Sequence, residues 1–164
     1  MKKLLIPAVF AFALPVVAID NLPQLKEGLW SVTTETISNP AGSKIEGSYS
    51  VCRNHDYDDK ARARAKVMKG CTVTSETFEG GKYTIVSHCE VPGMVFESKG
   101  VTALTSDTTT HTESHTTYKP AMRGIDETTM IMDQKYEGAC PADMQPGDRK
   151  DKDGKVIHLA QPAK

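Results

Sequence analysis

Apolar and polar positions alternate with a period of two along much of the chain, which is the pattern of strands that bury one face. After Gly28 and Leu29, Trp30 and Val32 alternate with Ser31 and Thr33, so Leu25 to Ile37 reads as a first strand. Asn39-Pro40-Ala41-Gly42 is turn chemistry and implies a partner strand around Gly47 to Cys52. Two Thr-, Val-, Ile- and Tyr-rich runs between Cys71 and Cys89 meet at Gly80-Gly81, which predicts a hairpin. Val91-Pro92-Gly93-Met94 is a further turn. Val95 to Thr105, Thr108 to Lys119 and Glu127 to Glu137 then read as strands, separated by Ser106-Asp107 and by residues 120–126. Met130, Met132 and Tyr136 form an apolar period-two face on the last of these. Thr108 to Thr117 is polar on both faces, which suggests an edge strand or one facing a wet lumen.

One segment breaks the alternation. Asn54 is a suitable N-cap, Asp56, Asp58 and Asp59 lie near the start, basic residues fill Lys60 to Lys69, and Gly70 is a stop signal. A short helix is expected here, with Tyr57, Ala61 and Met68 on one face and its basic residues in solvent. The fold class is therefore mainly β: an antiparallel small barrel or sandwich of about seven strands with one short helix.

The first residues add a compartment. Lys2 and Lys3 precede an apolar run from Leu4 to Val17, too short to span a bilayer of about 30 Å, and Val16 and Ala18 are the small residues signal peptidase requires. Residues 1–18 read as a signal peptide cut between Ala18 and Ile19, followed by one β domain over 19–140 and a flexible charged tail over 141–164. No cysteine follows the cut to carry a lipid, and no later apolar run is long enough for a spanning helix, so stable membrane insertion after cleavage is not expected. Losing Lys2 and Lys3 takes the formal charge from −1 to −3, which argues against nucleic acid as a partner. The expected location is the periplasm.

Export gives the four cysteines a structural meaning, because an even number in an oxidising compartment is first a disulfide framework. No Cys-x-x-Cys pair is present, so redox and zinc-ribbon motifs lack support. Of the three possible connectivities, the hairpin favours one. A three-residue loop, Glu79-Gly80-Gly81, places Cys71 opposite Cys89 with Val73, Tyr83 and Ile85 on their face, whereas a two-residue loop would turn the two cysteines to opposite faces. Cys52 is then left for Cys140.

Chemistry is sparse. His111-Thr112-Glu113-Ser114-His115 is the best metal or catalytic candidate, but its glutamate is one position late for the helical zinc motif. On a strand His111 and His115 stand roughly 13 Å apart at 3.3 Å per residue, so only His111 with Glu113, or Glu113 with His115, could share an ion. Met94, Met122, Met130 and Met132 are possible soft ligands for copper(I), with core packing as the plainer use. Asp151-Lys152-Asp153-Gly154 lacks the acids a calcium loop needs at its first and last positions and reads as a turn. No nucleophile elbow, phosphate loop or dinucleotide fingerprint occurs, so no catalytic residue and no cofactor is assigned.

The opening Leu25-Lys-Glu-Gly-Leu-Trp-Ser-Val-Thr-Thr34, the stretch Val51-Cys52-Arg53-Asn54 leading into an acid-led helix, the Cys71 to Cys89 hairpin and the ending Glu137-Gly-Ala-Cys140 together resemble the exported bacterial domain-of-unknown-function family numbered 3617. The resemblance covers residues 22–140. It implies a periplasmic protein and lends no catalytic residues. The favoured function is a non-enzymatic module that binds a small apolar ligand or an envelope protein. The alternatives are a metal-assisted enzyme or copper- or zinc-binding protein using His111, Glu113 and His115, and an interaction protein acting through its tail.

Overall fold

A computed structural model describes residues 22–158. The expected cleavage point at Ala18 and Ile19 lies outside the described residues. Among the described residues nine strands form one antiparallel sheet: β1 (Gly28–Asn39), β2 (Ser43–Arg53), β3 (Cys71–Glu79), β4 (Lys82–Val91), β5 (Met94–Ala103), β6 (Thr109–Met122), β7 (Ile125–Gly138), β8 (Arg149–Asp151) and β9 (Val156–Ile157). Their spatial order is β3-β4-β5-β6-β7-β1-β2-β8-β9, so the sheet is open, with β3 and β9 at its margins. Strands β3 to β7 are a meander of successive neighbours. The N-terminal β1–β2 hairpin joins that meander through the β1–β7 pairing.

Residues directly opposite across an antiparallel pair share a face. Trp30 faces Val51 and Tyr136, and Val32 faces Tyr49 and Gln134, which defines an inner side that continues through Met132, Thr112, Thr102 and Tyr83. The core lies on this side. Leu25, Trp30, Val32 and Val51 are buried, and Tyr49, Tyr57, Leu104, Met132 and Tyr136 pack around them. Gly28 makes this possible at the seam between β1 and β7: a β-carbon there would come within 2.1 Å of the Gly138 carbonyl oxygen, so only glycine allows the two backbones to close.

The helix α1 (His55–Lys66) starts as expected, the Asn54 Oδ1 accepting from the Tyr57 amide at 2.8 Å. It stops earlier than expected. Val67 is the C-cap, three residues before Gly70, and Met68 lies beyond the helix and is exposed, so the face it was expected to share is made by Tyr57, Ala61 and Ala65.

Both disulfides have the expected partners, Cys52–Cys140 and Cys71–Cys89. The second is reached by a different route. Gly80 and Gly81, at φ +56° and +74°, form a two-residue turn in which Glu79 pairs with Lys82. That offset is cancelled by a bulge at Thr74, after which Val73 faces Ser87 and Cys71 faces Cys89.

Two other expectations are corrected. The Thr-rich β6 is central, between β5 and β7, and not an edge. Its inward hydroxyls are paired across the sheet: Thr112 with Thr102 at 2.9 Å, Ser114 with Ser98 at 3.4 Å, and Thr116 donating to Ser98 at 3.1 Å. A polar strand can sit inside a sheet when its neighbours supply the partners. The stretch after Cys140 is likewise no loose tail over its described part. Met144 and Asp148 are buried, β8 extends the sheet beside β2, and β9 pairs with β8, while residues 159–164 lie outside the described residues.

Candidate functional site

A hollow on the inner side lies between α1 and the sheet and has a volume of about 410 Å³, within the range of small-molecule sites. Helical spacing brings Tyr57, Ala61 and Ala65 to its roof, and the two alanines leave room where larger side chains would fill it. Leu104, Met132 and Tyr83 are among the residues forming the floor and walls.

Its charges are set at the rim of the core. The Arg53 Nε donates to Asp58 Oδ1 at 2.9 Å, both side chains being only 12% exposed, and Arg53 Nη1 donates to Gln134 Oε1 at 2.6 Å. The guanidinium also stacks 4.9 Å over the Trp30 ring. This pair ties the first turn of α1 to the sheet. The other end is tied by Lys66, whose Nζ lies 2.7 Å from Glu76 Oε1, an oxygen that also accepts from the Tyr83 hydroxyl at 2.8 Å. Burial pushes the Glu76 carboxyl up, but the bonds from Lys66 and Tyr83 outweigh it and hold the group below its usual range. Burial, with the Glu76 bond added, pushes the Tyr83 phenol up, so it stays protonated as a donor.

One polar atom in the hollow stands apart. Thr110 is 5% exposed, lines the cavity, and its Oγ1 has no hydrogen-bond partner among the described residues. The paired row of hydroxyls ends just before it, because β5 stops at Ala103 and the next residue is Leu104.

The candidates nominated from sequence lie elsewhere. His111, Glu113 and His115 share the opposite, outer face of β6, and each histidine turns to a carboxylate on β7. His111 Nδ1 is 2.7 Å from Asp133 Oδ1, and His115 Nε2 is 3.5 Å from Glu127 Oε2. Glu113 stands opposite Val101 and Ile131. Among the described residues no group of three or more histidine, cysteine or acidic side chains is placed to hold a metal. The methionines do not gather: Met132 packs on the core, Met130 precedes it on the same face, Met94 opens β5, and Met122 is exposed at the β6–β7 tip. Asp151 Oδ1 accepts from the amides of Asp153 and Lys155, making the expected turn.

Also on the outer side, His88 lies between two acids, with Nε2 3.2 Å from Glu90 Oε1 and Nδ1 3.4 Å from Glu97 Oε1. The Glu90 bond, aided by Glu97, raises its pKa above the usual 6.5. The sign follows: the protonated histidine stabilises the fold below pH 6.5, and this contribution disappears as pH rises through the higher folded value. Proton NMR titration of His88 should give a midpoint above 6.5, and Glu90→Gln should lower it. A midpoint at or below 6.5 in the parent protein would contradict the assignment.

An open, disulfide-stapled antiparallel sheet with a helix roofing an apolar cavity defines the class of protein. Within it, the chain belongs to the family described as protein of unknown function (DUF3617), whose model matches residues 25–140. No curated protein matches the chain. Two disulfides indicate an oxidising environment, and no described helix is long and apolar enough to cross a membrane.

Proposed function

We propose that the protein is exported to the periplasm, loses residues 1–18, and serves there as a non-enzymatic module that binds a small apolar ligand between α1 and the sheet. The supporting observation is the apolar cavity itself, which the helix covers without filling because Ala61 and Ala65 face it. A helix with no buried residue, held to the sheet by ion pairs at its two ends, suits a cover over a binding space better than a core element.

Protein purified from periplasm should begin at Ile19 and release an apolar molecule on solvent extraction, read by mass spectrometry. An environment-sensitive dye should bind the emptied protein, and Ala65→Trp, which fills the hollow from the roof, should weaken dye binding by at least about tenfold, the equivalent of 1.4 kcal/mol. Equal dye binding by the folded variant would place the dye elsewhere and count against the cavity.

A further inference from the structure

The polar groups inside the cavity restrict what it can hold. Gln134 stands directly opposite Thr110 across the β6–β7 pair. Arginine has donors and no acceptor, so the Gln134 atom facing Arg53 Nη1 has to be the oxygen, and the amide nitrogen is fixed on the other branch. That NH₂ group has no hydrogen-bond partner among the described residues. The Thr110 hydroxyl beside it is buried and unpartnered. Two neighbouring donors on the wall of an apolar hollow are complementary to a single acceptor atom, and a buried hydroxyl left alone carries a desolvation cost that such an acceptor would relieve.

The charges that face this space are already matched. Arg53 is paired with Asp58, and Arg62 with Asp59 on the helix surface. Glu76, which bonds the cavity-lining Tyr83 from outside the lining, is held by Lys66 and Tyr83. An ionised ligand group would enter without a free counter-charge, which is costly in a low-dielectric site.

Building on the pocket reading above, we propose that the ligand is an uncharged apolar molecule bearing a carbonyl group, whose oxygen accepts hydrogen bonds from the Thr110 hydroxyl and the Gln134 side-chain amide. Esters, amides and ketones share this chemistry.

Four probes of one chain length separate the possibilities: methyl hexanoate, hexanoate, hexylammonium and hexane. Each is titrated into the whole mature protein while the Gln134 side-chain amide is followed by nitrogen–proton correlation NMR. Methyl hexanoate should bind about tenfold more tightly than the other three, the size of one to two net hydrogen bonds, and should shift the Gln134 amide signals. Thr110→Val should reduce the preference for ester over hexane about fivefold. It should also melt no lower than the parent, since it removes a hydroxyl that has no partner. A lowered melting temperature would mean that the hydroxyl is already bonded and would remove the basis for the proposal. Hexane, hexanoate or hexylammonium binding as tightly as the ester, or an ester complex that leaves the Gln134 signals unmoved, would overturn the ligand class and leave the pocket standing. Failure of all four probes, together with failure of the dye, would overturn the pocket as well.

Discussion

Replacing Cys52 and Cys140 together by serine should lower the free energy of unfolding by about 4 to 5 kcal/mol, the chain-entropy value for a loop of this length. The two cysteines are 88 residues apart, against 18 for Cys71 and Cys89, whose removal should cost about 3 kcal/mol. Position strengthens the expectation. Cys52 lies on β2, opposite Leu29 of β1, and Leu29 in turn lies opposite Gly138, two residues before Cys140. The bridge therefore spans the seam where the N-terminal hairpin meets the meander. Cys71–Cys89 only closes a hairpin that Gly80 and Gly81 already turn. Denaturant unfolding of the two double variants should rank them in this order, and a larger loss from Cys71→Ser with Cys89→Ser would show that the hairpin and not the seam limits stability. With whole-domain stabilities of about 5 to 15 kcal/mol, the Cys52–Cys140 variant should be partly unfolded in mild denaturant or modest heat.

Trp30→Ala should rank next, with a loss of about 3 to 5 kcal/mol. The ring is fully buried, meets Tyr136 edge-on at a centroid distance of 6.0 Å, and donates through Nε1 to the Lys26 carbonyl at 2.9 Å. It is also the surface on which Arg53 lies. Truncation leaves a void in the core and removes the platform that directs Arg53 towards Gln134, so stability and cavity chemistry should fall together. Urea unfolding measures the first effect, and the hydrogen–deuterium exchange of α1 amides the second. A loss below about 1 kcal/mol would mean that the sheet repacks over the gap and that the core is not centred on this ring.

The strands were legible because Trp30, Val32, Met130, Met132 and Tyr136 alternate with polar neighbours, and the start of α1 was legible because Asn54 and the aspartates that follow make a distinct N-terminus. The Cys71–Cys89 pairing was legible while its geometry was not. A bulge at Thr74 has no marker in a run of threonines and serines, and a two-residue turn plus a bulge reaches the same register as a three-residue turn. The position of β6 was hidden for a related reason: hydroxyl rows look exposed in a sequence, and only the register brings Thr102 to Thr112 and Ser98 to Ser114. Much of the cavity could not be read at all. Its parts come from α1, the chain end of β5, β6 and β7, and the character of Thr110 depends on the hydroxyl row ending at Thr102, since the chain beyond β5 continues with Leu104, which offers no side-chain partner. The histidines attracted attention because their side chains carry chemistry, but strand alternation puts His111 and His115 on the face away from the cavity.

The bulge at Thr74 has a further consequence. β3 is the longer of the two outer strands of the sheet, and a long regular margin of free amides and carbonyls invites another chain to add to it. An extra residue in mid-strand spoils the even spacing that such an addition needs, and Lys66 reaches down to Glu76 on the same strand. At the opposite margin β9 is only two residues long. The device that brings two cysteines into line thus also blunts the margin most open to edge-to-edge aggregation.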